Sequence, residues 1–173
     1  MSTAPSDREL WEAFVQAERE LHRRQAAFFQ DVQDRLEILR AALTEGGWEQ
    51  ATALSFLGTF SGDGQELLPQ LVALSMSDAL ALAARRAIGR IPRDRLEPLL
   101  APLIMDELDS ADCDDFRRLA ELLAHIGAWR LLEQLVHRAR ANGDPDFREV
   151  AEDFTDEYGP MWLPRPRGMS RNP

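Results

Sequence analysis

Four apolar segments of this chain close the same way, on Leu57-Gly58, Ile88-Gly89, Ile126-Gly127 and Tyr158-Gly159. The glycines follow one another at steps of 31, 38 and 32 residues. Counting back from each glycine gives three matched columns. One residue before stand Leu57, Ile88, Ile126 and Tyr158; five before stand Ala53, Ala84, Leu122 and Phe154; eight before stand Gln50, Ala81, Leu119 and Ala151. Only Gln50, in the first unit, is polar. Offsets of three and four residues put such positions on one face of a helix. A helix carrying that stripe cannot bury it alone. Stacking on the next unit removes both stripes from water, at about 25 cal/mol per Å2 of apolar area. A period of roughly 30–45 residues is the mark of a helical solenoid. Each glycine is expected to let its helix end in a tight turn.

The stretches between the glycines read as helices and short loops. Ser6-Asp7-Arg8-Glu9 has capping-box spacing. No proline or glycine then interrupts until Gly46, and apolar residues recur at Leu10, Phe14, Ala17, Leu21, Phe28, Val32, Leu36, Leu39 and Leu43. The phase slips around His22–Gln25, so the segment reads as one long helix or two with a break near 22–26. Further helices are expected over 48–60, 65–75, 78–90, 94–108, 113–127, 129–141 and 146–158. The 94–108 helix should bend or start late at Pro98 and Pro102. Asp112, Asp114 or Asp115 can cap the 113–127 helix, and Asp144 or Asp146 the last one. No segment alternates with period two, so no sheet is expected.

Residues 66–92, ELLPQLVALSMSDALALAARRAIGRIP, resemble a HEAT-type repeat of the armadillo-like class. Leu67-Leu68-Pro69 matches the start of that pattern's first helix, and Leu80, Ala83, Ala84, Ala87, Ile88 and Gly89 match its second. The arginine often found early in that second helix is missing, with Ala81 in its place. The resemblance spans roughly 48–159 and is looser outside 66–92. It implies an all-α, short right-handed helical-repeat solenoid, an α-α superhelix, here preceded by a long N-terminal helix. The organisation expected is a disordered start over 1–5, a helix or hairpin over 6–47, repeats over 48–159, and an extended Pro/Arg-rich tail over 160–173.

Charge narrows the possible partners. The net charge is −10. Residues 160–173 hold three arginines and no acid, so residues 1–159 carry 17 basic against 30 acidic residues, or −13. Such a body repels phosphate backbones and steers basic partners toward it. There is no lysine, which removes a P-loop lysine, a Schiff base and a Ser-Lys pair. Cys113 is the one cysteine and cannot form an internal disulfide; with no signal-peptide pattern in MSTAPSDREL, a cytoplasmic location is expected.

No catalytic constellation is legible. His22, His125 and His137 lack metal-ligand spacing, and Cys113 with His125, twelve apart on one helix, would lie roughly 18 Å apart. The acidic neighbours of Cys113 should raise its thiol pKa. The acidic run from Asp106 to Asp115 lacks the order of an EF-hand. We therefore expect no catalytic residue, no cofactor and no resident metal. In HEAT-like stacks the second helices line the concave, partner-binding surface. Counted off the columns, Thr52, Ser55, Arg86, Glu121, His125, Asp153 and Asp156 should face outward there. Trp162 either caps the last repeat or anchors a partner. The expected role is a non-enzymatic protein-binding module, an immunity protein or regulatory adaptor that neutralises a basic protein through an acidic groove formed by Arg86, Glu121, His125, Asp153 and Asp156. The alternatives are a structural or oligomerisation subunit that uses the first helix, and a nucleic-acid-binding protein resembling HEAT-like DNA-alkylation-repair enzymes. The second is disfavoured by charge, and no membrane association is expected.

Overall fold

The computed structural model describes residues 4–108 and 111–162. Among these residues there are nine α-helices, one 3-10 turn and no strand. The helices are α1 (Asp7–Asp31), α2 (Arg35–Glu45), α3 (Gly47–Leu57), α4 (Leu68–Ser75), α5 (Ala81–Gly89), α6 (Arg93–Leu108), α7 (Cys113–His125), α8 (Trp129–Ala141) and α9 (Pro145–Tyr158). No described helix is long and apolar enough to cross a membrane. The chain divides into two units, Met1–Phe56 and Leu57–Pro173. The first of the four glycine-ended helices, α3, thus lies mainly in the N-terminal unit.

In the N-terminal unit, α1 starts at the Ser6 capping box. Glu9 N–H donates to Ser6 Oγ at 3.3 Å, and Ser6 N–H donates to Glu9 Oε2 at 2.7 Å. The break expected near 22–26 is absent. That polar stretch stays helical because Glu20 holds both Arg23 (2.5 Å) and Arg24 (2.7 Å) one turn on. The chain breaks instead at Val32–Asp34, where Val32 is extended (φ −89°, ψ 119°). A side-chain contact six residues across the break accompanies this position. Arg35 donates to Phe29 O at 2.5 Å and lies over the Phe29 ring at 4.8 Å from its centroid. Phe29 carries one of the last carbonyls of α1, which has no donor within the helix. The arginine supplies that donor and a cation–π contact. Leu39, Leu43, Ala53, Leu54 and Phe56 form the buried core of this unit, and Phe28 meets Phe56 edge-on at 5.1 Å.

In the C-terminal unit, α4 and α5 each start three residues later than expected, at Leu68 and Ala81. The intervening residues stay in turns, and Pro69 occupies the first turn of α4, where a missing N–H costs nothing. α6 starts at Arg93 and runs through both Pro98 and Pro102, so the expected late start does not occur. Both prolines are exposed, so water can reach the carbonyls they leave without a donor, while Leu96, Leu100, Ile104 and Leu108 bury the opposite face.

Packing follows the columns. α4 packs on α5, α7 on α8 and α8 on α9. Beyond these neighbours, α4 meets α6, α5 meets α7, and α7 meets α9. Ala84, Leu122 and Phe154 are all buried, and no residue of the three columns is exposed. Arginines tie neighbouring elements at these contacts. Arg85 on α5 donates to Arg118 O (3.3 Å) and pairs with Glu121 (2.8 Å) on α7. Arg118 donates to Met76 O at the end of α4 and pairs with Asp78 at 2.8 Å. Arg117 pairs with Asp153 on α9 at 2.8 Å, and Arg140 on α8 donates to Thr155 Oγ1 at 2.8 Å.

The glycines do not share one backbone role. Only Gly46, Gly47 and Gly127 have positive φ among the described residues. Gly127 (φ 69°) ends α7 in the left-handed geometry, and Arg93 Nη2 donates to the Ile126 and Gly127 carbonyls there, each at 3.3 Å. Gly89 completes α5, and Gly159 (φ −48°) opens a 3-10 turn over Gly159–Met161. The tail is therefore not extended at Pro160 and Met161. Residues 163–173 lie outside the described residues.

This difference is measurable. A Cβ at Gly127 would meet Arg93 Nη2 at 3.1 Å in a conformation L residues avoid, whereas one at Gly89 would meet only Ile126 Cγ2 at an ordinary 3.8 Å. Urea unfolding should show Gly127→Ala destabilised by about 1–2 kcal/mol. Gly89→Ala should be neutral or stabilised by about 0.5 kcal/mol. Equal losses at both would contradict these backbone assignments.

Candidate functional site

Residues of α5, α7 and α9 enclose an open cleft of about 740 Å3, with Phe154 and Tyr158 of the columns at its α9 side. Arg85 reaches it from α5. Arg117, Glu121 and His125 reach it from α7, and Asp153, Asp156, Glu157 and Tyr158 from α9. A second depression of about 470 Å3 shares Arg85, Arg117 and Glu121 and extends to Ser77, Asp78 and Asp114. The two form one polar groove across three helices.

Its order comes from the repeat. Glu121 and Asp153 each stand six residues before their glycine, and each is held at 2.8 Å by an arginine 36 residues upstream, on the preceding glycine-ended helix. The Arg85 side chain is only 13% exposed, so its salt bridge is better shielded than the half-exposed Arg117–Asp153 pair. Arg85 Nε is buried without a hydrogen-bond partner, which leaves its other nitrogens to anchor the group. The hydrogen bond to Asp153 holds Arg117 above the usual guanidinium range. Two arginines face four carboxylates along the cleft, so the lining is net negative even though half its acid is paired.

Of the residues expected from the sequence, Glu121, His125, Asp153 and Asp156 all line this cleft. Arg86 does not. It is exposed on α5, and the neighbouring Arg85 takes the lining position, because 85 lies on the edge of the helix turned toward α7. Thr52 and Ser55 are exposed on α3 in the N-terminal unit. Trp162 is half-buried after the 3-10 turn and is not part of the lining. Sequence reasoning missed Arg85 and Arg117. The signal was an acid six residues before a glycine with an arginine 36 residues upstream, a pattern visible only once helix neighbours are known.

The chemistry on offer is polar binding. Cys113 is not in the lining; burial, then Asp146 and other nearby carboxylates, push its thiol up against the opposing pull of Arg117. Asp112 and Asp115, from the acidic run, form a reciprocal capping box on α7. No group of three or more His, Cys, Asp or Glu among the described residues is arranged to hold a metal ion. Tyr158 is pushed up by its hydrogen bond to Glu157. His125 is held below its ordinary 6.5 by desolvation, then by Arg85 and Arg86. Its folded pKa is therefore depressed. Protonation weakens the fold as pH falls from about 6.5 through the folded value, and this penalty is absent above about 6.5.

An NMR titration of the full chain should place the His125 midpoint below 6.5. Arg86→Gln or added salt should move it upward. A midpoint at or above 6.5, insensitive to both, would contradict the arginine contribution. No protein-family model matches this chain, and neither the curated proteins nor the solved structures provide a match.

Proposed function

We propose that helices α4–α9 form a short right-handed, HEAT-like stack and that its polar groove binds the basic face of a protein partner without catalysis. The supporting packing is the succession α5, α7, α9 along one side, with α4 against α6 on the other. The observation that carries the reading is the pair Glu121 and Asp153. They occupy the same position relative to their glycines and are each fixed by an arginine, with Asp156 beside them making no ion pair among the described residues. Carboxylates held in place lose little freedom on binding, which favours recognition of cationic groups. Their field, with the −13 of residues 1–159, steers a basic partner to the groove. A cytoplasmic immunity protein or regulatory adaptor that masks a basic effector surface is the role this chemistry suits.

The test is a binding measurement with a basic protein captured from cell extract on the immobilised full chain. Its affinity should fall as salt rises and drop about tenfold in Asp156→Arg. Cross-links should map to α5, α7 and α9. A partner indifferent to salt and to Asp156→Arg, or cross-linked elsewhere, would overturn the proposal.

A further inference from the structure

A cationic segment of this chain begins at the edge of the acidic groove. Asp156, Glu157 and Tyr158, the last residues of α9, line the larger cleft. The 3-10 turn Gly159–Met161 stays against α9, and Trp162 N–H donates to Gly159 O at 3.1 Å. Trp162 thus stands one turn beyond a lining residue. After it comes LPRPRGMSRNP, residues 163–173, outside the described residues. This stretch holds three arginines and no acid, whereas residues 1–159 carry −13.

We propose that residues 163–173 occupy the groove of their own chain and that a basic partner must displace them. This placement rests on the reading of the groove as a site for cationic groups. Charge identifies the occupant. The cleft sets Glu121, Asp153, Asp156 and Glu157 against Arg85 and Arg117. Both arginines are already paired, with Glu121 and Asp153 at 2.8 Å each. Asp156 makes no ion pair among the described residues, and neither does Asp114 in the adjoining depression of about 470 Å3. Unmatched negative charge therefore lies toward both ends of the groove. Length fits the same path. Pro164 and Pro166 bias Leu163 and Arg165 toward extended backbone. An extended chain advances about 3.1 Å per residue, so Arg165 reaches roughly 9 Å from Trp162, Arg167 roughly 16 Å and Arg171 roughly 28 Å. Packed helices lie about 8–10 Å apart, so passing from α9 across α7 to α5 takes roughly 16–20 Å. Arg165 is then in range of Asp156 and Glu157, Arg167 of Glu121, and Arg171 of Asp114. Exposed ion pairs are individually weak. The tether raises the effective concentration to the order of millimolar, at which weak pairs suffice to hold the segment.

A nitroxide on Ser170→Cys, with Cys113→Ser to keep the label single, reports where the segment lies in the full chain. Paramagnetic broadening should fall on the amides of Glu121, His125 and Asp156, stay independent of protein concentration and fade at high salt. No broadening there, or broadening only between a nitroxide-bearing chain and a second, isotope-labelled chain, would overturn the proposal. A second measurement leaves Cys113 in place. The synthetic peptide LPRPRGMSRNP should bind the full chain carrying Arg165→Gln, Arg167→Gln and Arg171→Gln at least about tenfold more tightly than the wild type, because the competing segment has lost its charge. Equal binding to both chains, or binding to neither, contradicts the placement. The groove reading falls separately, only if no basic protein binds the variant chain at α5, α7 and α9.

Discussion

The C-terminal unit depends on apolar stripes that no single helix can bury. α5, α7 and α9 each present small, aliphatic or aromatic residues at matched offsets from a closing glycine, and α7 contacts both α5 and α9. Ala84, Leu122 and Phe154 leave water only because a neighbour with the same periodicity covers them. Packing one face fixes the direction of the other. Glu121 and Asp153, six residues before their glycines, line the groove together with Arg85, Arg117 and Asp156. Its residues converge from three helices without any local sequence motif joining them.

Arginine completes this arrangement. The chain has no lysine, and its guanidinium groups link elements that packing has brought near. Arg118 reaches both a backbone carbonyl and a carboxylate, and Arg85 does the same. A planar group with several donors can serve a helix end and an acid at once, which a lysine cannot do with equal geometry. The groove's carboxylates are thus oriented before any partner arrives. The exposed members of the set contribute little to stability by themselves. Their effect is positional, and it is what the proposed binding role draws upon.

The N-terminal unit follows a different economy. α1 is held by its capping box, by pairs one turn apart and by the Arg35 contact at its end, yet it buries none of its side chains. A helix of this length with an exposed heptad seam has local reasons to form and an unfilled apolar face.

The sequence by itself determined the features that act over a few residues. The capping box at Ser6, the all-helical content of the described residues and the apolar columns are all written in short spacings. Four of the cleft's lining residues followed from the same count. Tertiary structure decided what depends on distant neighbours. Arg85 lines the groove instead of Arg86, because only its side of α5 meets Glu121, 36 residues away. Gly127 alone among the four closing glycines takes the left-handed turn, where Arg93 reaches the end of α7. Side-chain periodicity specifies a face within one helix. Which neighbour meets that face, and at what register, is settled when separate helices bury their stripes together.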